Sequence, residues 1–350
     1  MTEETLHRQN IIACIWDFDR TLIPGYMQRP LFRHFGVDEK TFWKEVNTLP
    51  EHFARKGQRV SGETVYLNHL LTCVRAGVFK GLNNALLREL GSELTFFPGM
   101  PDFLQTLKDL VRERPEYRKQ DIALEHYIIS TGLAEMIRGS CIATHVENIY
   151  GCELIENPPP PGYLTQPELF DEDAQAEVSQ VGFMVDNTIK TRFIFEINKG
   201  TNKNPEIDVN SRVAPEDRRV PIRNMIYIAD GPSDVPVFSV VRKSGGRAYA
   251  VYESGNEAEF AQNDELLRTG RVDSYGRADY RQKSDTHMWM KTHVRQICNR
   301  IVREREYAVS QRIGKPPRHV QDDTTPQPDT GPRSPRQATL FDSGEGDRED

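Results

Sequence analysis

Apolar and polar positions follow two patterns along this chain, one typical of buried strands and one of amphipathic helices. Residues 11–16 form an unbroken apolar run rich in isoleucine, which predicts a strand buried on both faces of a parallel sheet. Runs at 123–130, 225–229 and 248–252 predict further strands, and helical patterns separate them. We therefore expect an α/β fold, a doubly wound, Rossmann-like parallel sheet that the run at 248–252 completes.

The chain after the first predicted strand has only helical patterns up to the next strand. Apolar residues recur at helical spacing within 31–46, 64–78 and 83–90. An all-helical segment inserted at this point can cover the carboxyl end of the sheet, exclude water and select a substrate. We expect an inserted all-helical cap domain, and a helical layer of the core is the alternative.

The predicted domains follow from these patterns. Their boundaries are 1–23 and 98–262 for the α/β core, 24–97 for the cap, 263–313 for a helical C-terminal extension and 314–350 for a disordered tail. The extension is predicted from an amphipathic helix whose apolar side is formed by Met288, Val294, Ile297 and Ile301. The tail is rich in Pro, Asp, Ser and Arg and has few large apolar residues, a composition typical of disorder.

Composition narrows the class of protein. The 350 residues carry 45 basic and 52 acidic side chains, a net charge of −7, without a long basic run, which argues against a nucleic-acid or anionic membrane surface. No apolar run approaches the roughly 18 to 20 residues that span a bilayer. The 5 cysteines are scattered without C-x-x-C spacing, so neither a disulfide framework nor a zinc site is indicated. We expect a cytoplasmic protein with reduced thiols.

Pairs of carboxylates follow two of the predicted strands. Asp17 and Asp19 come directly after the first strand, while Asp230 and Asp234 follow the strand at 225–229. Ligands of open α/β sheets bind beyond the carboxyl ends of the strands, so these acids are expected at one crevice. Carboxylates held close together repel each other unless a cation or a shared proton offsets the cost, and Mg²⁺ prefers such hard oxygen ligands. A plain strand end with a helix cap is the alternative.

Two further stretches suit a phosphate group. Ser130, Thr131 and Gly132 end the predicted strand at 123–130 and lead into a helix, where backbone N–H groups and a hydroxyl can bind an anion, although an ordinary N-cap looks the same. Lys190 lies in the first turn of a predicted helix, where a cation opposes the helix dipole and calls for a compensating anion or an exposed position. Lys199 is its competitor, but at the helix end it merely complements the dipole.

Together these motifs resemble the haloacid dehalogenase superfamily of phosphotransferases, in the family's order and over roughly residues 11–255. They are Asp17-Phe-Asp19-Arg20-Thr21, Ser130-Thr131-Gly132, Lys190 and Asp230-Gly-Pro-Ser-Asp234. The predicted cap looks like that of the phosphoserine-phosphatase-like branch. The sequence departs from the family pattern at Arg20 and at Ala229, since glycine is common at both positions.

The resemblance implies a Mg²⁺-dependent phosphomonoester hydrolase that acts on a small phosphorylated metabolite through an aspartyl-phosphate. Asp17 would be the nucleophile and Asp19 the general acid and base. The true dehalogenases of the family lack this second acid, which disfavours carbon–halogen cleavage. The implied metal-site residues are Asp17, Asp19 through its backbone carbonyl, Asp230 and Asp234. The implied phosphate-binding residues are Thr21, Ser130, Thr131 and Lys190.

Two alternatives to a hydrolase stay open. The chain can be a catalytically weak phospho-ligand-binding or regulatory protein on the same scaffold, or it can transfer the phosphoryl group to an acceptor other than water. Tyr26, Gln28 and Arg29 follow the first motif closely and are candidates for selecting the substrate.

One short pattern in the tail points to a protein partner. Gln337, Leu340 and Phe341 form a Q-x-x-L-F pattern in an otherwise polar segment. This pattern resembles the peptide by which bacterial proteins dock on the replication sliding clamp, although matches this short also arise by chance. It makes the clamp a candidate partner of the tail.

Overall fold

A twisted sheet forms the centre of the computed structural model, which describes residues 8–165 and 176–312. Its strands are β1 (Ile11–Trp16), β2 (Ala123–Leu133), β3 (Asn148–Ile155), β4 (Gln180–Phe183), β5 (Met225–Ala229), β6 (Arg247–Tyr252) and β7 (Ser274–Arg277). Their order across the sheet is β4-β3-β2-β1-β5-β6-β7, and only β4 runs antiparallel to its neighbour. The predicted doubly wound, Rossmann-like fold is confirmed.

Helices fill the connections between the strands. They are α1 (Arg29–Phe35), α2 (Glu39–Ala54), α3 (Gly62–Arg75), α4 (Asn84–Gly91), α5 (Asp102–Arg112), α6 (Pro115–Arg118), α7 (Ala134–Gly139), α8 (Ile189–Lys199), α9 (Val235–Lys243), α10 (Glu257–Arg268) and α11 (Asp285–Arg312). We call α1 to α4, which lie between β1 and β2, the helical insert. Side-chain caps fix two of its starts, because Asp38 accepts a hydrogen bond from the Thr41 N–H and Asn83 accepts one from the Leu86 N–H.

The central strand β1 determines where the chain can place polar groups. Its residues from Ile12 to Trp16 are completely buried, as an apolar run between two parallel neighbours requires. Trp16 pairs with Ile228 of β5, and the Asp17 N–H continues this ladder with a 2.8 Å hydrogen bond to the Ile228 carbonyl. The side chains that follow β1 and β5 therefore meet where the strand order reverses, which is the crevice where ligands bind in such sheets.

The prediction that the second strand ends at Ser130 was wrong. Strand β2 continues to Leu133 with an irregular register after Ile129, and α7 has only six residues. The Gly132 N–H donates to Ser130 Oγ at 3.0 Å, and the Leu133 N–H contacts the Met27 sulfur at 3.2 Å. These two backbone N–H groups are therefore already paired within the protein.

The prediction that the sheet ends at β6 was also wrong. Strand β7 pairs with β6 and lies within the segment predicted to be purely helical. Its four residues, Ser-Tyr-Gly-Arg, contain no apolar run, because an edge strand this short buries little. In α11, Val294, Ile297 and Ile301 are buried as predicted, but Met288 is 51% exposed. Met290, four residues before Val294, takes its place on the buried side.

Two predictions fall outside the described residues. The disordered tail at 314–350 and the clamp-binding pattern of Gln337, Leu340 and Phe341 both lie there and stay predictions. Among the residues that the structure describes, every helix is too short or too polar to cross a lipid bilayer.

The helical insert docks on the core through two glycines. A Cβ atom on Gly91 of α4 would overlap the Met136 carbonyl of α7, and one on Gly139 of α7 would overlap the Arg88 carbonyl of α4. Arg88 also donates to Glu135 of α7 at 2.6 Å. The two backbones are therefore in direct contact a few residues after Ser130, and only glycine permits this approach.

We expect Gly139→Ala to lower the free energy of unfolding by about 1 to 3 kcal/mol, because the added methyl group overpacks the contact between α4 and α7. Chemical denaturation followed by circular dichroism measures the change. Gly62→Ala is the matched control, since a Cβ atom at this helical glycine meets no atom within 4 Å. Equal free energies of unfolding for the two variants would show that α4 and α7 can move apart to accept the methyl group without loss of stability.

A buried histidine supports the central strand. His126 of β2 is fully buried, with Nδ1 accepting from Trp16 Nε1 at 3.1 Å and Nε2 close to the Leu104 carbonyl at 2.9 Å. The neutral ring that carries its proton on Nε2 satisfies both contacts. Burial lowers the pKa of His126 to about 3, so the folded chain resists its protonation.

Because this pKa is depressed on folding, the stability that neutral His126 contributes is present above its unfolded pKa of about 6.5 and is lost below it. Between about pH 7.5 and pH 5.5, this group alone should remove about 1.4 kcal/mol from the free energy of unfolding. In His126→Gln, whose amide does not titrate, that part of the loss should disappear. Denaturation of both proteins at both pH values gives the difference, and parallel losses would contradict the prediction.

Candidate active site

Three acids from separate stretches of the chain meet at the carboxyl edge of the sheet. Asp17 follows β1, Asp230 follows β5, and Asp234 ends the turn that precedes α9. One carboxylate oxygen of each lies within 4.8 Å of the others. Asp17 is 5% and Asp234 0% exposed, while Asp230 is partly exposed. The strand ends thus bring together the acids that the sequence predicts at one crevice.

Lys190 is buried between two of these acids. Its ammonium donates to Asp17 Oδ1 at 2.8 Å and to Asp234 Oδ1 at 2.7 Å, and only 1% of the residue is exposed. Helix α8 begins where it does because the Asp186 carboxylate accepts from the N–H groups of Thr188 and Ile189. Burial by itself would lower the pKa of the Lys190 ammonium, but the two carboxylates outweigh it and raise that pKa above its usual value.

The competing lysine lies elsewhere. Lys199, at the end of α8, donates to the carbonyls of Val209 and Ser211 at 2.6 and 2.8 Å. It therefore closes a loop, as a cation at a helix C-terminus commonly does. Of the two candidates, the structure brings only Lys190 to the acids.

Asp234 has most of its oxygen lone pairs satisfied by protein donors. Besides Lys190, the Tyr227 hydroxyl donates to its Oδ1, and the Ser233 hydroxyl donates to its Oδ2 at 2.8 Å. Sequence reasoning did not identify Tyr227, although a single hydroxyl in the aliphatic strand β5 was the available signal. These contacts suit Asp234 to holding Lys190 in place.

Asp19 faces open space beside the cluster. It is partly exposed, and its Oδ1 accepts a hydrogen bond from the Met27 N–H at 2.9 Å. Its carboxylate is not part of the three-acid group, so its predicted place at the metal depends on its backbone carbonyl alone. Burial, followed by the negative charge of Asp17, raises the pKa of Asp19 well above its usual value. Both effects favour the protonated form of this carboxyl group.

Arg20 lies at the site, although sequence patterns predict no role for it. It adopts a left-handed backbone with φ of +58°, which accounts for the preference for glycine at this position in the family that the motifs resemble. Its guanidinium forms an ion pair with Glu259 of α10 and lies 3.7 Å from Asp230 Oδ2. The departure from glycine was itself the signal that sequence reasoning passed over.

The charges at the site leave room for a divalent cation. Two cations, Lys190 and Arg20, face five carboxylates, so full ionisation leaves an excess of three negative charges. The five are Asp17, Asp19, Asp230, Asp234 and Glu259, the ion-pair partner of Arg20. Burial raises the pKa of Asp230, and the charges of Asp17 and Asp234 raise it further. Burial likewise raises the pKa of Asp17 against the opposing effect of Lys190. A cluster of carboxylate oxygens with excess charge fits Mg²⁺.

Some of the predicted phosphate-binding residues line the cavity beside the acids, and one does not. Ser130 and Thr131 line the cavity beside the acids, together with Lys190. The Thr131 carbonyl accepts a 2.6 Å hydrogen bond from the hydroxyl of Tyr66, a residue of α3. Thr21, in contrast, is completely buried, and its hydroxyl has no hydrogen-bond partner among residues 8–165 and 176–312. Thr21 therefore does not reach the cavity.

Two adjoining cavities lie above this edge of the sheet. The acid cavity, of about 310 Å³, is lined by Asp17, Asp19, Arg20, Tyr26, Ser130, Thr131, Asn187, Lys190, Asp230, Pro232 and Ser233. The insert cavity, of about 420 Å³, is lined by Asp19, Tyr26, Gln28, Trp43, Asn47, Tyr66, Thr131 and Gly132. Three residues line both, so a ligand with its phosphate near Asp17 can extend under the insert.

Two of the three candidates for substrate selection line the insert cavity. Tyr26 and Gln28 line the insert cavity. Arg29 does not line it, since its guanidinium lies 3.4 Å from Glu39 and donates to the Pro24 carbonyl at 3.1 Å. The Arg29 side chain therefore interacts with other groups of the helical insert and not with the cavity.

The chain has a relative in a bacterium. It is 37% identical over 295 residues to an uncharacterized protein of Borreliella burgdorferi, covering 83% of this chain and 98% of that one. No protein-family model matches the sequence.

Two solved structures are similar at lower identity. A haloacid dehalogenase family hydrolase from Salmonella enterica serovar Typhi is 14% identical with a TM-score of 0.44, over 76% of this chain and 66% of that one. A phosphoserine phosphatase, solved as an analogue of its phospho-aspartyl intermediate, is 15% identical with a TM-score of 0.42, over 81% and 99%. Likenesses this distant say nothing about what this chain acts on.

The sheet order places the four motifs around one crevice, with Asp17 after the central strand, Lys190 at the start of α8 and Asp230 after β5. The helical insert follows the first of these motifs. The chain belongs to the same family as the Borreliella burgdorferi protein.

Proposed function

We propose that this protein is a Mg²⁺-dependent phosphomonoester hydrolase that works through an aspartyl-phosphate. The observation that carries the proposal is the buried Lys190 between Asp17 and Asp234, with Asp230 beside them and Asp19 open to the same cavity. A surface cluster of acids would not need a buried lysine, whereas a site for a phosphoryl group uses both kinds of charge.

Asp17 is the nucleophile in this proposal. Its carboxylate oxygen forms a bond to phosphorus while the bond from phosphorus to the leaving alcohol oxygen breaks. The hydrogen bond from Lys190 favours the ionised form of Asp17, which is the nucleophilic form, against the effect of burial. Ser130 and Lys190 line the same cavity and bind the phosphoryl oxygens.

Asp19 moves the proton. In the first step its neutral carboxyl group donates a proton to the leaving alkoxide, so the product departs as an alcohol. In the second step the resulting carboxylate accepts a proton from water as that water attacks phosphorus, which frees Asp17 and inorganic phosphate. The raised pKa of Asp19 supports this role, because the group must carry a proton at the start.

Asp17 and Asp230 are the carboxylates that would hold Mg²⁺, together with the backbone carbonyl of Asp19. When bound, the ion draws negative charge from the phosphoryl oxygens and offsets the repulsion among the acids. Asp234 acts by holding Lys190 in place, because the carboxylate of Asp234 already accepts hydrogen bonds from three protein donors.

We expect Asp17→Asn to reduce the turnover of p-nitrophenyl phosphate by at least about a thousandfold, because an amide oxygen is a poor nucleophile. The measurement is phosphate release by purified full-length protein with Mg²⁺. Asp109→Asn on α5, which makes the same change outside the site, should retain full activity.

Retained turnover in Asp17→Asn would reject the nucleophile. Metal-dependent binding of phosphorylated compounds without phosphate release from the unaltered protein would instead support the ligand-binding alternative. Product formation that requires an added alcohol would support transfer to another acceptor.

A second prediction concerns the metal. Mg²⁺ at ten times its dissociation constant should raise the free energy of unfolding of the unaltered protein by about 1.4 kcal/mol, because it binds only the folded acid cluster. Asp230→Asn removes a ligand and should abolish most of this increase, whereas Asp109→Asn should keep it. Denaturation with and without Mg²⁺ measures the effect, and an equal increase in all three proteins would place the metal elsewhere.

A further inference from the structure

The insert cavity has a wall of aromatic side chains. The ring of Trp43 lies 5.5 Å from that of Tyr26 and 5.9 Å from that of Tyr66, measured between ring centroids. All three line the cavity. Aromatic faces of this kind bind flat rings by stacking, and they offer little to a small aliphatic alcohol.

Two buried polar atoms in the cavity lining have no hydrogen-bond partner in the part of the chain that the structure describes. Gln28 is 3% exposed, and its Oε1 atom is an acceptor without a donor among the described residues. The Trp43 Nε1 atom is a buried donor without an acceptor in the same part of the chain. Buried polar groups are nearly always hydrogen-bonded, so such a pair points to a ligand that both donates and accepts.

The lining of the insert cavity is short of charge. Asp19 is the only ionisable acid or base among the described lining residues apart from the two tyrosines. The nearby guanidinium groups are engaged elsewhere, Arg29 with Glu39 and Arg20 with Glu259. A leaving group with a carboxylate or a second phosphate would therefore find no cation in this lining.

We propose that the substrate is a phosphomonoester whose leaving alcohol is uncharged and carries a flat heteroaromatic ring, as in a nucleoside 5′-monophosphate. The phosphate lies in the acid cavity and the ring in the insert cavity, with Gln28 and Trp43 hydrogen-bonded to the ring edge. A cavity of about 420 Å³ is within the size range of small-ligand sites. This inference rests on the proposed function, because it names the substrate class of the same site.

The test compares substrates that differ only beyond the phosphate. Adenosine and uridine 5′-monophosphates carry a ring, ribose 5-phosphate lacks it, and phosphoserine adds charge. With full-length protein and Mg²⁺, we expect kcat/KM for at least one ring-bearing compound to exceed that for ribose 5-phosphate by at least about tenfold, the effect of one stacked ring. Pyridoxal 5′-phosphate, included in the same panel, distinguishes a nucleoside from another neutral heteroaromatic alcohol.

A variant connects this preference to the cavity. Trp43→Phe keeps a ring but removes the unpaired donor, so the ratio of kcat/KM between the preferred ring-bearing substrate and ribose 5-phosphate should fall about fivefold. Trp289→Phe on α11 is the matched control, and it should leave that ratio unchanged. Equal or greater efficiency with phosphoserine or ribose 5-phosphate would overturn the inference while the phosphatase function stands.

The failure of the function can be distinguished from the failure of this inference. If none of the compounds releases phosphate, the proposed function fails, and binding then decides the inference. Calorimetry of the full-length protein with adenosine and with ribose measures recognition of the ring alone. Binding of adenosine but not ribose would support the ring site, and equal or undetectable binding of both would overturn it.

Discussion

The ammonium group of Lys190 is the contact on which the site depends. It is buried between Asp17 and Asp234 and so connects the start of α8 to the end of β1 and to the turn before α9. Removing one partner from a buried ion pair leaves an uncompensated charge and commonly costs about 3 to 5 kcal/mol. The three segments are far apart in sequence, and this cation links them directly.

The arrangement of charge at this edge of the sheet opposes the stability of the fold. Asp17 and Asp230 repel each other in a partly buried setting, and Arg20 holds a backbone conformation that costs a residue with a side chain about 1 to 2 kcal/mol. The ion pair from Arg20 to Glu259 ties α10 to the loop after β1. Strain and repulsion of this kind persist in folded proteins mainly where function requires them.

Much of the fold and part of the site could be predicted from local patterns. The apolar run at 11–16, the acids after two strands and the helix-dipole argument that preferred Lys190 to Lys199 all rest on neighbouring residues. The two errors about the sheet share one cause, which is that the deciding contacts are distant in sequence. Strand β2 extends because Leu133 pairs with Cys152, and β7 is held by its neighbour β6 rather than by apolar residues of its own. Local patterns mark Arg20 and Tyr227 as unusual, but they do not reveal the partners of these residues, Glu259 and Asp234, which lie in other elements.

The close approach of Gly91 and Gly139 has a consequence for how the two parts of the chain could be recombined. One glycine belongs to the helical insert and the other to the core, and each accommodates a carbonyl group of the opposite helix. A chimaera that took its insert from a related protein would have to inherit both partners of this contact, not the insert alone. A segment that can be exchanged as a module must therefore extend past α7. That helix follows β2 and belongs to the core by its place in the strand order.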